Sequence, residues 1–262
     1  MSSEIQKFDV LVIGSGLAGC IAAITAADNG RNVLIITKTE ELMSGNTPYA
    51  QGGIIYTGEE DSPQKLKKDI MDAGDGHCWE IAVDQLANLG PKLVKELLIE
   101  KFNVEFDKTC DDNLDLTAEG AHSQPRIIHS KDHTGKAIHK AVIEAVTKHP
   151  NITVWENHTA VDLLTLSHHS KNSLDIYKKP ACFGALVLNN LTGRTFPIYA
   201  KYTVLATGGL GQIYLHTTNP IESTGDGIAL AWRAGARCFN LEYIQFHPTS
   251  FYSEKDTFLI SE

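Results

Sequence analysis

Positive charge is scarce in this sequence. Its 23 Lys and Arg stand against 32 Asp and Glu, a net charge of -9. A surface of that sign repels a phosphate backbone, which excludes nonspecific nucleic-acid binding. A local cationic pocket for a small anion stays open. Long apolar runs are also missing. The one candidate, from Val10 to Ala27, is broken by Gly14, Gly16 and Gly19 and follows no basic segment, so it is neither a signal peptide nor a membrane span. Cysteine is sparse and unpaired. Cys20, Cys78, Cys110, Cys182 and Cys238 are odd in number and lack metal-ligand spacing, the pattern of reduced thiols in a cytoplasmic protein. What remains is ordinary for a globular chain: 262 residues, 42% hydrophobic and 21% charged, one large domain or two small ones.

The most informative stretch is near the N-terminus. Val10 to Ile13 is a short run rich in β-branched residues, the pattern of a buried parallel strand. Gly14, Gly16 and Gly19 follow as G-x-G-x-x-G, and Leu17 to Asn29 reads as a helix of small residues. Strand, glycine turn and helix together form the dinucleotide fingerprint. The first glycine permits the turn, the second lets a pyrophosphate approach the backbone, and the third lets the helix lie close on the strand. The helix N-terminus offers free N–H groups and partial positive charge. An acid is missing, however, from the end of the second strand, Val33 to Ile36, where a ribose-binding carboxylate belongs. Thr37 and Lys38 stand there instead, which argues against a plain NAD held through its ribose.

Further along, Met43 to Gly53 is a loop of small polar residues and glycine, suited to wrapping a cofactor with backbone amides, and Ile54 to Tyr56 reads as a strand. Ser62-Pro63 opens a helix, with Ser62 as its cap. Trp79 to Phe102 reads as a longer helix, bent at Gly90-Pro91, with Val83, Leu86, Leu93, Val94, Leu97 and Leu98 as its apolar face. Glu105–Asp107 and Leu114–Leu116 predict a hairpin, and Thr134 caps a helix to His149. Ile152 to Trp155 is another parallel strand. Segments 159–166, 182–189 and 195–199 alternate as an antiparallel ribbon, and the polar stretch from Ser167 to Lys179 reads as a mobile linker holding His168 and His169. Tyr202 to Ala206 is a strand ending in Thr207-Gly208-Gly209, a second glycine turn. Asp226 opens a helix over 228–234, placed either to bond a ribose or ribityl hydroxyl or to cap the helix. The sequence stops within an apolar strand, Phe258 to Glu262, which reads as a truncated chain.

Together GSGLAG at 14–19, Thr37-Lys38, YAQGG at 49–53, ATGG at 206–209, TGDGIALAWRAGA at 224–236 and QFHPT at 245–249 resemble the flavoproteins of the succinate dehydrogenase, fumarate reductase and L-aspartate oxidase superfamily. The resemblance runs the whole chain in order. It implies an α/β architecture: a Rossmann-like FAD-binding domain over 1–240 with an inserted antiparallel ribbon, and the start of a capping domain at 241–262. It implies noncovalent FAD. The contacts it implies are Gly14, Ser15, Gly16, Leu17, Ala18 and Gly19, then Lys38, Ser44, Asn46, Thr47, Ala50, Gln51, Gly52 and Gly53, then Ala160, Val161, Ala206, Thr207, Gly208, Gly209 and Asp226. Asn46 stands near the place where membrane-bound succinate dehydrogenases carry a flavin-attaching histidine.

Within the superfamily, LTAEGAHSQPRIIH at 116–129 is similar to the substrate loop of the L-aspartate oxidases, whose acid recognises the amino group. Glu119 falls on that position. The reaction implied is oxidation of L-aspartate to iminoaspartate in NAD biosynthesis, with oxygen or fumarate as acceptor and quinolinate synthase as partner. Glu119 would hold the ammonium, and His247 and Ser261 the carboxylate oxygens. His122, Arg126, His129 and Glu262 complete the candidates. Ser261 stands where the family has threonine. The family's catalytic arginine, a further histidine and a helical C-terminal domain follow beyond Glu262, so the chain alone is expected to be inactive. A succinate or fumarate oxidoreductase and a non-catalytic remnant are the alternatives.

Overall fold

A computed structural model of the chain describes residues 7–253 and 257–260. In chain order the elements are β1 (Lys7–Ile13), α1 (Leu17–Asp28), β2 (Val33–Ile36), β3 (Ile54–Ile55), α2 (Pro63–Ala73), α3 (Glu80–Leu93), β4 (Leu116–Thr117), β5 (Ile127–Ile128), α4 (Thr134–Lys148), β6 (Ile152–Trp155), β7 (His158–Thr165), α5 (Leu166–His169), β8 (Cys182–Asn189), β9 (Arg194–Leu205), α6 (Asp226–Arg233), β10 (Ser250–Tyr252) and β11 (Thr257–Leu259). The chain divides into two compact units, Met1–Thr47 with Val142–Glu262, and Pro48–Ala141; the division falls inside α4. No helix of the described residues is long and apolar enough to cross a membrane.

The first unit is built on a mixed six-stranded sheet in the order β6-β2-β1-β9-β8-β7. β6, β2, β1 and β9 run parallel, and β8 and β7 continue the sheet antiparallel. The parallel strands are apolar on both faces because helices must cover both; all four residues of β2 are buried. Leu11, Ile13, Leu34, Ile36, Val187, Ile198 and Leu230 share one aliphatic core. After β1 the chain moves through α1 to β2 and β6 on one side, then returns to β9 on the other. The strand order therefore reverses between β1 and β9, the place where open α/β sheets bind ligands. The expected ribbon exists, but it does not end where the alternation suggests. β9 is one strand of twelve residues. Its first half pairs antiparallel with β8 and its second half parallel with β1, changing partner at Tyr199.

The second unit has a three-stranded antiparallel sheet, β3-β5-β4, and the helices α2 and α3. The Ser62 hydroxyl caps α2 by accepting from the Lys65 amide, as its sequence predicts. Several expectations are corrected here. The bend at Gly90-Pro91 is a change of helix type: Pro91 has no amide to donate into the ladder, and Val94–Lys101 continues as a π-helix. Val83, Ala87, Val94 and Leu98 form the buried face, whereas Leu86 and Leu93 are half-exposed. The 105–116 hairpin shrinks to a single bridge between Lys108 and Leu114, because Leu116 and Thr117 pair with β5. Thr134 is the first helical residue of α4 and does not cap it. Its hydroxyl donates to the Gly52 carbonyl at 2.5 Å and accepts from the Ser130 amide at 3.0 Å. In the first unit the Ser167–Lys179 stretch is ordered by α5 and by a 3-10 turn over Ser173–Tyr177, where buried Asp175 accepts from the Ser170 hydroxyl.

Candidate functional site

At the β1–β9 reversal the first unit holds a cavity of about 560 Å³, within the ordinary range for small-molecule sites. Its walls are the turn Gly14–Ala18, the end of β2, the 44–47 loop, the Ala206–Gly208 turn and the start of α6. The glycines are there for steric reasons. Gly14 has φ +111, and a Cβ on it would overlap the Ala206 carbonyl. A Cβ on Gly16 would lie 3.3 Å from the Thr47 hydroxyl, tighter than ordinary contact. Gly19 is buried, and a Cβ there would collide with the Gly14 carbonyl, so it sets the closeness of α1 to the turn.

No side chain caps α1 at Gly16. The Thr47 hydroxyl takes the Leu17 amide at 3.1 Å and ties the 44–47 loop to the helix N-terminus. The Ser15 hydroxyl donates to the Leu42 carbonyl at 2.9 Å, and Ser15 lines the cavity. At the end of β2 the Lys38 ammonium donates to Asp226 at 2.6 Å and to the Thr224 hydroxyl at 2.8 Å. Burial pushes the Asp226 carboxyl up, but bonds from Lys38 and Thr224 outweigh it and leave it below the usual carboxylate range. No acid stands at the end of β2 itself; a lysine does, paired with an acid from α6. Asn46 donates to the Ser223 hydroxyl at 3.0 Å.

Most of the predicted cofactor residues meet in this cavity: Gly14, Ser15, Gly16, Leu17, Ala18, Lys38, Ser44, Asn46, Thr47, Ala160, Ala206, Thr207, Gly208 and Asp226 all line it. Val161 and Gly209 are neighbours in sequence of lining residues. Ala50, Gln51, Gly52 and Gly53 belong to the second unit. Sequence reasoning missed His158, Ser223 and the segment Arg237–Phe239, which also line the cavity. Only the glycine after α6 hinted at a turn there. Both ring nitrogens of His158 are engaged, by the Glu156 carbonyl at 2.6 Å and the Asn189 amide at 3.1 Å. The groups present fit a dinucleotide-type cofactor: a Cβ-free cradle, a helix N-terminus whose first residue before the helix is a glycine with no capping side chain, and a cavity at the strand reversal.

The other candidates are placed as follows. Glu119, His122, Arg126 and His129 all lie in the second unit. Glu119 is exposed, and one carboxylate oxygen sits 2.8 Å from the point where a Cβ on Gly52 would be. Arg126 is completely buried and engaged by Asp61 and Asp69, which assigns it a structural part. His129 is held between Asp107 at 3.1 Å and Asp115 at 3.6 Å. His247 lies in the first unit, and its Nδ1 accepts from the Thr249 amide at 3.3 Å. Ser261 and Glu262 lie outside the described residues. Among the described residues no group of His, Cys, Asp and Glu is placed to hold a metal ion.

Comparison with known proteins agrees with this geometry. The family model described as FAD binding domain matches residues 9–262. L-aspartate oxidase 1 of Ralstonia nicotianae is 43% identical over 98% of this chain and 47% of its own length. The L-aspartate oxidase of Halobacterium salinarum is 41% identical over 97% of this chain and 48% of its own. Among solved structures, an E. coli quinol fumarate reductase superposes with a TM-score of 0.87 at 25% identity, covering 98% of this chain and 42% of that one. Mycobacterium smegmatis Sdh1 gives 0.86 at 29% identity, covering 98% and 43%. The chain thus spans about half the length of the curated relatives it matches. It belongs to the FAD binding domain family, in the succinate dehydrogenase and fumarate reductase flavoprotein superfamily, and its cofactor is a flavin.

Proposed function

We propose that this chain is the flavin-binding part of an enzyme that oxidises L-aspartate to iminoaspartate. The observation that carries the reading is the exposed Glu119 carboxylate set against the Gly52 turn. A carboxylate in that place gives an α-ammonium a charge-assisted hydrogen bond that succinate cannot use. The similarity to L-aspartate oxidases supports the same choice.

A flavin held in the cavity supplies the hydride acceptor. The chain's own residues bind and orient. The backbone of Gly14–Ala18 and the N-terminus of α1 take the phosphates. Lys38 and Asp226 hold the sugar end, and the Ala206–Gly209 turn gives backbone contacts. His247 Nδ1 is engaged by the Thr249 amide and hydroxyl, which leaves Nε2 to face a substrate carboxylate. Residues 1–240 form the FAD domain in this reading and 241–262 begin a capping domain, with Ser261 and Glu262 at the substrate. Oxygen or fumarate is the acceptor, quinolinate synthase takes the product, and an aqueous cytoplasmic compartment suits five free cysteines. Neither Asn46 nor His158 offers a free ring nitrogen, so the flavin is noncovalent. Acid precipitation should release it into the supernatant. Flavin kept in the pellet would point to Cys238, the thiol lining the cavity.

The test of substrate choice complements the flavin-loaded chain with the C-terminal half of a full-length relative and follows anaerobic bleaching of the flavin by L-aspartate and by succinate. Glu119→Gln should weaken use of L-aspartate by about 1.5–3 kcal/mol, the worth of a hydrogen bond to a charged group, and leave succinate nearly unchanged. Equal loss for both would remove Glu119 from amino-group recognition, and preference for succinate in the native chain would favour the dicarboxylate oxidoreductase reading instead.

A further inference from the structure

The 117–126 segment that carries Glu119 is largely exposed, yet it ends on a side chain with no exposure at all, Arg126. Its Nε and Nη2 donate to the two oxygens of Asp61 at 2.7 and 2.8 Å. Its Nη1 donates to Asp69 at 2.5 Å. The same Asp69 oxygen accepts from the Ser123 amide and hydroxyl, both at 2.9 Å. His122 Nδ1 lies 3.2 Å from Nη1. Asp69 is part of α2, and Asp61 precedes it and accepts from the Ser62 amide at 2.8 Å. The loop is therefore fastened to α2 at residues 123 and 126. Its backbone also closes on itself, from the Arg126 amide to the Thr117 carbonyl at 3.0 Å and from the His122 amide to the Glu119 carbonyl at 3.2 Å. Glu119 lies between these ties. Opposite it, Gly52 is fixed by the Thr134 hydroxyl, and Ala50 by the Gly135 amide at 3.0 Å.

Burying one guanidinium and two carboxylates is costly unless every charge is matched, and apolar packing would close a loop at less cost. What the guanidinium adds is a planar fork with fixed directions, which a lysine lacks. We infer that Arg126 is a positioning residue: through Asp61 and Asp69 it locks the 117–126 loop to α2, holds Glu119 against Gly52, and so sets the preference for a dicarboxylate bearing an amino group over one without. The inference rests on the proposed reading of Glu119. Arg126 itself is too deeply buried to touch substrate. Both aspartates stay ionised well into acid: burial pushes Asp69 up, but the Ser123 amide and Arg126 outweigh it and lower it to about 2.

The test compares Arg126→Lys, Ser123→Ala and Glu119→Gln in the flavin-loaded protein, by amide hydrogen exchange and by the ratio of L-aspartate to succinate affinity, read from the flavin spectrum. Arg126→Lys should raise exchange across 117–126 by about tenfold or more, with the β1 amides unchanged, and lower the ratio by about tenfold. Ser123→Ala should act in the same direction but less, and it decides the matter if the lysine variant does not fold. Glu119→Gln should lower the ratio with no rise in exchange. A freed loop with an intact ratio, or an unchanged loop, overturns the positioning role while leaving the Glu119 reading standing. A Glu119→Gln protein that keeps its preference overturns the reading of Glu119, whatever the arginine variants do.

Discussion

The two compact units of this chain hold themselves together by different means. The first places Leu11, Leu34, Ile36 and Ile198 in an aliphatic core and shapes its cavity with backbone and glycine. The second has a smaller apolar interior, with Leu66, Val83 and Ile128 among its members, and sets a charged cluster within it. On the proposed reading the difference follows from the work each does. A flavin is large and buried, and it needs a rigid trough lined by main chain. A loop that presents one carboxylate needs direction more than bulk, and buried ionic hydrogen bonds supply direction at the cost of desolvation. The first unit should therefore respond to changes in volume and the second to changes in charge.

The largest effect should come from Arg126→Ala. It leaves two carboxylates without their cation, a loss that costs about 3–5 kcal/mol when the pair is buried, and chemical denaturation with exchange at Leu66 and Leu34 as local probes should show the loss concentrated in the second unit. The counterpart in the first unit is Gly14→Ala. A Cβ there overlaps the Ala206 carbonyl at a left-handed φ, and overpacking and backbone strain each cost about 1–3 kcal/mol. Flavin titration should show binding lost while the fastening of 117–126 to α2 survives.

Acid should bear harder on the second unit without mutation, because its Asp69 is lowered furthest, whereas Asp226 of the first is lowered less. Asp61 and Asp69 are lowered from the ordinary 3.8, Asp69 to about 2. Groups lowered by folding stabilise the folded state above their unfolded value, and that contribution fades as pH falls through the folded one. The window therefore runs from about pH 4 down to about pH 2, and exchange at Leu66 should rise there before exchange at Leu34. If both rise together, the charge cluster is not what holds the second unit. The smallest effect belongs to Lys68→Ala. Its partner Asp72 is an exposed i,i+4 neighbour, and solvent screening leaves such surface pairs little weight, so denaturation midpoints should barely move.

The first unit was far more legible in the sequence than the second. β1, α1 and β2 announce themselves because parallel strands are continuous apolar runs and the glycine spacing has steric causes that are local in the chain. The α2 cap was legible for the same reason, since Ser62 and Lys65 are three residues apart. Arg126 was visible as a candidate, but its partners lie 65 and 57 residues earlier, and no local pattern marks them. The polarity of Ser167–Lys179 suggested a mobile linker, but its polar groups bond one another around Asp175. β9 was divided in two because its alternation changes where its partner does, at Tyr199; the pattern reflects which neighbour a residue faces and not where the strand ends.

That single strand has a consequence for how the chain must be made. β1 and β2 are complete within the first 36 residues, whereas the other edge of β1 is filled only by residues 199–205 of β9. On a ribosome Val10 to Ile13 must therefore stand with one row of amides and carbonyls open until residues 199–205 have been synthesised, and closing so long a loop is slow. An open apolar edge in that interval is a template for pairing with another nascent copy. The hazard ends when β9 docks. From then on the antiparallel ribbon and the floor of the flavin cavity share one backbone, so neither can melt without loosening the other.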